Sequence, residues 1–263
     1  MNDGPNGSIA DPHAATRDEM MTVAAARSLR DRDTCFVGIG LPSAAANVAR
    51  LTHAPGIVLI YESGTIGARP TRLPLSIGDE DLALTARAVV SVPEIFNYWL
   101  QPHRIGVGFL GAAQIDRFAN INTTIIGSDY NHPKVRLPGA GGAPEIAGCC
   151  REVIVIVRQS PRTFVRQLDF ITSLGHGNGP GDREAAGLRT RGPVKVVSDL
   201  GVLEPDEVTH ELMLTQVHPG VDVESVIAAT GWPLRVSPNV TTVDPPTIEE
   251  LQALRQLAVG GLE

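Results

Sequence analysis

The chain has 263 residues, of which 43% are hydrophobic but only 4% aromatic, so Val, Ile, Leu and Ala must fill most of its core. A chain of this length holds one large α/β domain or two small ones. Its formal net charge of −7 and its 22 scattered Lys and Arg residues argue against a nucleic-acid partner, because phosphate binding needs clustered basic side chains.

Cysteine usage and the chain ends predict a reduced, cytoplasmic protein. Cys35, Cys149 and Cys150 are odd in number and two are adjacent, which makes a poor disulfide framework; the adjacent pair is expected to be buried and inert. No run of about 18 apolar residues predicts a membrane span, and no secretory signal is evident. Residues 1–16, rich in Gly, Pro, Asn and Asp, are predicted to be a disordered tail before a single domain over 17–263.

Hydrophobic periodicity predicts alternating helices and strands. The domain is predicted to open with an amphipathic helix over 17–30, a strand over 34–38, a helix over 44–51 capped by Ser43, and a buried strand over 56–61. Strand, helix, strand in this order predicts a parallel sheet. Further strands are predicted at 104–111, 123–127, 152–157, 194–198 and 212–217, and further helices at 94–100, 223–230 and 247–257 with Thr247 as the cap.

The fold class is therefore α/β, with an open, mostly parallel sheet flanked by helices. The unbroken apolar run 152–157 is typical of a strand covered on both faces. Residues 204–210 are predicted to be a turn. Residues 173–192 are predicted to be a long irregular loop, and such loops in compact domains are often functional.

The most informative segment follows the predicted strand 56–61 and reads E-S-G-T-I-G over 62–67. Ligands of α/β sheets usually bind where strands end, and glycines let backbone N–H groups approach a reacting atom. Glu62 is thus a candidate nucleophile or base beside a backbone cradle. A carboxylate is a weak nucleophile unless the site removes its water and stabilises the oxyanion that forms. The alternative is that Glu62 only forms an ion pair or lies at a helix N-terminus.

Other catalytic patterns are missing from the sequence. It contains no GxxxxGK[ST] phosphate loop, no HExxH and no CxxC, and its seven histidines are dispersed. The glycines of 139–142 lack the third glycine of a dinucleotide fingerprint, and Ser63 is not in a GxSxG elbow. Neither a metal nor a permanently bound cofactor is predicted.

Residues 62–67 match the E-x-G-x-x-G pattern of the β half of class I CoA-transferases, and other segments resemble one branch of that family, the β subunits of glutaconate CoA-transferases. The resemblance extends from about Met20 to Val243 and implies a three-layer α/β/α fold. The segments that carry it are 38–42, 109–116 with 120–122, 131–142, 198–203 and 218–221.

The resemblance implies a mechanism and a partner. Glu62 aligns with the residue that attacks an acyl-CoA thioester, giving an acyl-glutamyl anhydride and then an enzyme–CoA thioester. Coenzyme A is a co-substrate, and neither ATP nor metal is needed. Family members of this size act with a separate α subunit, usually as (αβ)₂, so this chain is expected to be inactive alone.

Further site residues follow from the same alignment. Four glycines are candidate backbone donors or close-approach positions: Gly64, Gly67, Gly141 and Gly142. Gly38 and Gly40 are predicted to lie near the acyl group, with a tight strand-to-helix turn as the alternative. Gln114 is a candidate for holding the Glu62 loop near substrate or CoA, whereas a structural hydrogen-bond role is favoured for Asp116.

Two arginines follow the motif, and several reactions stay open. Arg69 or Arg72 could hold a distal substrate carboxylate through two hydrogen bonds, or be solvated.

Relatives with this fold include acyl-CoA hydrolases and decarboxylases, which tend to lack the motif Glu, and a non-catalytic subunit is a third hypothesis. Glutaconate and 3-oxoadipate both suit this branch. At 174–177 the chain reads L-G-H-G where the family tends to have Pro-Gly-Trp, so the resemblance does not extend to that wall of the acyl pocket.

Overall fold

The computed structural model describes residues 15–259. Most of the predicted tail, 1–14, lies outside the described residues, but Thr16 belongs to the domain. Its Oγ1 accepts a hydrogen bond from the Glu19 N–H, and the Glu19 carboxylate accepts one from the Thr16 N–H at 2.8 Å. This reciprocal cap begins the first helix.

The described chain is an alternation of short helices and strands. The helices are α1 (Arg17–Ala26), α2 (Leu41–Leu51), α3 (Glu80–Leu84), α4 (Val92–Glu94), the π-helix (Ile95–Leu100), α5 (Ala143–Cys149), α6 (Asp182–Ala185), α7 (Val223–Ala228) and α8 (Ile248–Val259). The strands are β1 (Thr34–Phe36), β2 (Val58–Ile60), β3 (Thr65–Ile66), β4 (Ala88–Val89), β5 (Val107–Leu110), β6 (Gln114–Ile115), β7 (Ile121–Asn122), β8 (Ile125–Ile126), β9 (Val135–Arg136), β10 (Glu152–Ile156), β11 (Pro193–Val197), β12 (Gly201–Pro205), β13 (Leu212–Val217) and β14 (Arg235–Thr242). No helix within residues 15–259 is long and apolar enough to cross a bilayer.

One large sheet organises the fold. Ten strands lie in the order β14-β13-β12-β11-β10-β5-β1-β2-β3-β4, and the central five, β11 to β2, are parallel. β12 and β3 run antiparallel to their neighbours and extend the sheet at either side. The ends of β1, β2, β5, β10 and β11 therefore meet at one edge, the usual place for a ligand site.

Helices cover both faces of this sheet, which confirms the predicted three layers. Ile154 and Ile156 of β10 belong to a core shared with α1, α2 and α8. Val153 and Val155 belong to a core on the opposite face, shared with α5, α7 and the π-helix. Successive side chains of a strand point to opposite faces, so an unbroken apolar strand is what a three-layer fold requires.

The first turn of α2 differs from the prediction. The helix begins at Leu41 with Gly40 as its N-cap, and Ser43 lies inside it. The Ser43 hydroxyl instead hydrogen-bonds the Tyr61 hydroxyl at 3.1 Å, fully buried. Pro42 has no N–H that needs a partner and its fixed φ suits a first helical turn, which explains why the helix begins before Ser43. The predicted cap of α8 is confirmed, since the Glu250 N–H donates to Thr247 Oγ1.

Short outer elements are not predicted by periodicity. Residues 201–205 form β12, which overlaps the start of the predicted turn at 204–210. The eight residues of β14 form an edge strand that contains Pro238, a residue that strands tolerate mainly at edges. Helix α5 is also absent from the sequence-based prediction, because it is short and contains Gly and Pro, which are typical of turns.

Glycine at 108 sets the distance between β5 and α5. A Cβ on Gly108 would lie 2.5 Å from Ile146 Cγ2 and 2.8 Å from Cys150 Sγ. We expect Gly108→Ala to lower the free energy of unfolding by about 1–3 kcal/mol, because α5 must move away from the sheet. Urea unfolding measures this, with Gly106→Ala as the control, whose Cβ would meet nothing closer than 3.4 Å. Equal losses in the two variants would contradict the packing argument.

Candidate active site

A tight turn places Glu62 at the end of β2. The Gly64 N–H donates to the Tyr61 carbonyl at 3.0 Å, so Glu62 and Ser63 occupy the centre of the turn. Gly64 has φ of +104°, and a Cβ there would lie 1.9 Å from the Val90 carbonyl oxygen. Only glycine fits this position, for both its conformation and its space.

The Glu62 carboxylate lies against a second glycine and an aromatic ring. A Cβ built on Gly142 would meet Glu62 Oε1 at 3.3 Å and Phe96 Cζ at 2.9 Å. Within residues 15–259 the Glu62 carboxylate has neither a hydrogen bond nor an ion pair. Other carboxylates of the chain, such as Asp79, are paired. Glu62 is therefore a half-exposed carboxylate with its lone pairs available.

The loop before α5, which brings Gly142 next to Glu62, carries two backbone N–H groups without a hydrogen bond. Gly139 and Thr123 hold the loop: the Gly139 N–H donates to the Thr123 carbonyl at 2.9 Å, and Thr123 Oγ1 donates to the Gly139 carbonyl at 2.8 Å. Among the described residues, no acceptor faces the N–H of Gly141 or of Gly142. The predicted donor role of these two glycines is compatible with this geometry.

The N–H groups of Gly64 and Gly67, by contrast, are already hydrogen-bonded within the chain. The Gly64 N–H closes the turn, and the Gly67 N–H donates to the Leu59 carbonyl at 2.7 Å. Their predicted role as oxyanion donors is corrected by these bonds: both glycines shape the reversal of the chain into β3. Gly67 has φ of +67°, which fits that structural purpose.

Gly38 and Gly40 lie at the same edge of the sheet as Glu62. The Val37 N–H donates to the Ile60 carbonyl at 2.9 Å, so the ends of β1 and β2 are adjacent. Gly40 has φ of +82° and caps α2, with open space around its Cα. Both interpretations of this segment, a tight turn and a position near the acyl group, are compatible with the structure.

Gln114 supports the glycine loop rather than the Glu62 turn. Its amide nitrogen donates to Asp169 at 3.0 Å, and its oxygen accepts from Asn122 at 2.7 Å. Asn122 in turn donates to the Ile125 carbonyl at 2.6 Å, at the start of the segment that leads to Gly142. Both polar atoms of Gln114 are therefore engaged within the protein, which corrects the prediction that it lies against substrate or holds the Glu62 loop.

Asp116 has the structural role that the sequence favours. Its carboxylate accepts hydrogen bonds from the N–H groups of Phe118 and Asn120 and from the Asn120 side chain. Burial raises the pKa of Asp116, and these hydrogen bonds oppose that rise. The residue stabilises the turn between β6 and β7.

Arg69 and Arg72, the two arginines that follow the motif, do not bind the Glu62 carboxylate. β3 runs antiparallel to β2, so the chain returns to the end of the sheet at which β2 begins. There the Arg69 guanidinium donates a hydrogen bond to the carbonyl of Pro55, which precedes β2. Arg72 forms two hydrogen bonds with Asp79, at 2.8 and 2.9 Å, and they lower the pKa of the Asp79 carboxyl. The hairpin thus carries Arg69 away from Glu62, and its predicted place near substrate or CoA stays a prediction.

Two hydroxyls beside Glu62 have no partner. Ser63 Oγ and Thr65 Oγ1 are buried, and neither makes a hydrogen bond within the described residues. A buried hydroxyl without a partner costs about 1–3 kcal/mol. The Glu62 turn therefore carries a local cost in stability.

The helix predicted over 94–100 is present, but the sequence analysis anticipated neither its π-helical geometry nor the position of Phe96 near Glu62. The Gln101 N–H donates to the Phe96 carbonyl at 2.9 Å, a five-residue spacing, and π-helical turns are frequent at functional sites. A signal is present in the sequence: Pro93 begins the segment, and three aromatic residues follow within 96–99 of a chain poor in aromatics.

The remaining candidates for chemistry lie outside this site. No group of three or more His, Cys, Asp or Glu within residues 15–259 is arranged to hold a metal. Cys35, Cys149 and Cys150 are free thiols whose pKa values are raised by burial, so they are poor nucleophiles. Residues 173–192 hold Arg183, which donates to backbone carbonyls such as that of Gly175 at 2.7 Å, so this loop is a packed structural element.

Comparison with known proteins gives consistent matches over nearly the whole chain. Residues 18–229 match the family model described as Coenzyme A transferase. The chain is 61% identical over 244 residues to the β subunit of 3-oxoadipate CoA-transferase from Pseudomonas knackmussii, covering 93% of this chain and 94% of that one. It is 38% identical to the β subunit of glutaconate CoA-transferase from Acidaminococcus fermentans, covering 88% of each.

The fold agrees with a solved structure from the second organism. The crystal structure of glutaconate coenzyme A-transferase from Acidaminococcus fermentans superposes with a TM-score of 0.90 at 32% identity, over 96% of this chain and 98% of that chain. The match covers the large sheet and both helical layers, so the likeness extends well beyond the motif at 62–67.

The turn at Gly64 generates a stability prediction. Gly64→Ala should lower the free energy of unfolding by about 3 kcal/mol more than Gly40→Ala, since both positions have positive φ but only the first also collides with backbone. Thermal and urea unfolding of the two variants give the comparison. Losses of similar size would mean that the Val90 contact can relax and that glycine is needed at 64 only for its φ.

Proposed function

This chain belongs to the coenzyme A transferase family, as a β subunit of the 3-oxoadipate and glutaconate type, and from that premise we propose that Glu62 is its covalent CoA carrier. One observation carries the proposal: an unpaired carboxylate at the end of a parallel strand, beside Gly142 of a loop in which the N–H groups of Gly141 and Gly142 make no hydrogen bond among the described residues. In this proposal the enzyme moves CoA between an acyl-CoA and a dicarboxylic acid.

The proposed steps balance without a proton donor or acceptor. A Glu62 oxygen attacks the thioester carbonyl, the C–S bond breaks, and CoA leaves as a thiolate from an acyl-glutamyl anhydride. The thiolate then attacks the glutamyl carbonyl and displaces the acyl carboxylate, which gives a glutamyl–CoA thioester. The incoming acid reverses both steps. One thioester replaces another, which agrees with a site where, among the described residues, no second acid–base group stands beside Glu62.

Each residue has a defined part in these steps. The Glu62 carboxylate supplies the attacking oxygen. The N–H groups of Gly141 and Gly142 are proposed to hydrogen-bond the oxyanions that form at the two carbonyl centres. A single backbone or side-chain donor of this kind contributes about 10²–10³-fold to the rate. Gly142 is buried and Gly141 exposed, so we assign the inner position to Gly142.

We propose 3-oxoadipate as the acid, with glutaconate as the weaker alternative. The relative that carries the first name is 61% identical to this chain, and the relative that carries the second is 38% identical. A dicarboxylic acid needs a cation for its distal carboxylate, and Arg69 and Arg72 are both engaged away from Glu62. We therefore assign that cation to another subunit.

That other subunit is proposed to be an α chain, in an (αβ)₂ assembly. The relatives are themselves named as single subunits of their enzymes, and the Glu62 carboxylate is half-exposed in the described chain. An α subunit that covers this turn would exclude water from it. The cytoplasm is proposed as the location, since all three cysteines are free thiols.

Trapping the covalent intermediate tests the mechanism. The chain, co-purified with its α partner, is incubated with an acyl-CoA and no acceptor acid, and its intact mass is measured. We expect an adduct equal to CoA less one water on Glu62, and none with Glu62→Gln, which should also abolish transfer. Glu145→Gln is the matched control, an exposed glutamate close to Gly142 in sequence that should leave the adduct unchanged. Release of free CoA without any adduct would favour a hydrolase instead.

Substrate preference and subunit dependence form a separate test. The isolated chain should show no transfer, and adding the α subunit should restore it. The complex should use 3-oxoadipate with a kcat/KM about tenfold or more above that for glutaconate, because pocket contacts that differ by one polar group change specificity by this order or more. A preference for glutaconate would overturn the substrate assignment but leave the transferase mechanism intact.

A further inference from the structure

Phe96 and Glu62 border the same small space. The point where a Cβ of Gly142 would stand lies 2.9 Å from Phe96 Cζ, 3.2 Å from Phe96 Cε1 and 3.3 Å from Glu62 Oε1. Gly142 has φ of −84°, a value open to any residue, so its backbone does not require glycine. The absence of a side chain is needed here because the ring edge and the carboxylate occupy the two sides of the gap.

The ring is held firmly in this place. Phe96 packs edge-on against Phe36 of β1, with ring centroids 6.3 Å apart and planes at 65°. Ile95 and Leu100, the two ends of the π-helix, are fully buried and anchor it to the core. The hydrogen bond between the Phe96 carbonyl and the Gln101 N–H fixes the wide turn that carries the ring. Phe96 is itself half-buried, so one side of it is open toward the site.

We propose that Phe96 determines acyl specificity and positions the Glu62 carboxylate. Its ring edge excludes water from one side of the carboxylate and limits the width of the acyl group beside the attacked carbonyl. The inference rests on the proposed function and adds a substrate class to it: acyl groups that are unbranched next to the thioester.

The physical argument has two parts. The edge of an aromatic ring carries partial positive charge, so it tolerates a nearby carboxylate while removing part of its hydration, and a less hydrated carboxylate is a stronger nucleophile. The carbonyl that Glu62 attacks must lie beside its carboxylate, and one point next to Gly142 is 3.3 Å from Glu62 Oε1 and 2.9 Å from Phe96 Cζ, so we place a branch on the next carbon against the ring. An unbranched chain avoids it.

Variants of Phe96 in the complex with the α subunit test specificity. Phe96→Leu and Phe96→Ala should raise the kcat/KM ratio of α-methyl-branched to unbranched acyl-CoA by about tenfold or more, with KM for the acceptor acid little changed. Tyr98→Leu is the matched control, since Tyr98 lies in the same π-helix but is 62% exposed. An unchanged ratio in both Phe96 variants, with transfer still active, would overturn the specificity role and leave the proposed function standing.

A second measurement does not depend on turnover. The rate at which a water-soluble carbodiimide modifies Glu62 is followed by peptide mass spectrometry in the wild-type complex and in the variants. We expect Phe96→Leu and Phe96→Ala to increase that rate about threefold or more, because the ring no longer covers the carboxylate, and Tyr98→Leu to leave it unchanged. Equal rates throughout would overturn the claim that the ring shields Glu62. This result holds even if the complex has no transferase activity, so failure of the inference and failure of the proposed function can be told apart.

Discussion

The close contact between Gly64 and the Val90 carbonyl is the constraint on which the site depends. It lets the chain reverse within one turn, so that β3 and β4 extend the sheet next to β2 and Glu62 stays at the strand end. The same contact fixes the segment that continues into the π-helix, because the Val90 N–H donates to the Gly64 carbonyl at 3.0 Å. One left-handed glycine thus sets the positions of both the carboxylate and the aromatic residue that faces it.

Ion pairs distinguish several carboxylates of the chain from Glu62. Asp79 is paired with Arg72, Glu250 with Arg27 and Glu19 with Arg255, and each of these pairs lowers the pKa of the acid. A strong ion pair would hold the lone pairs that a nucleophile needs. Within the described residues Glu62 makes neither a hydrogen bond nor an ion pair, which leaves its charge to be balanced during the reaction.

The sequence predicted the central strands and the last helix better than the outer strands of the sheet. β10 and α8 were found because an apolar run and a Thr cap are local signals, whereas β3 and β4 are two residues each, too short to show a periodicity, and β12 follows β11 after a short turn that the hydrophobic pattern does not mark. At the site, Glu62 was proposed from the motif, and Gly141 and Gly142 were proposed from the wider family resemblance. The motif could not show that Arg69 lies away from Glu62, because the hairpin direction decides where it lies. Phe96 was missed because its position depends on a π-helical turn.

Whether an enzyme of this kind transfers CoA or hydrolyses the thioester depends on the access of water to the carbonyl groups beside Glu62. Both reactions can begin with the same attack on a thioester, but hydrolysis needs a water close to the acyl or glutamyl carbonyl, and transfer needs that water excluded until a second acid enters. In this chain one side of the carboxylate is occupied by Phe96 and another by the backbone of Gly142. Glu62 is half-exposed, so one side of the carboxylate stays open in this chain. A second subunit closing that side would complete the exclusion of water, which is why the geometry of one chain favours transfer as the reaction of the assembled enzyme.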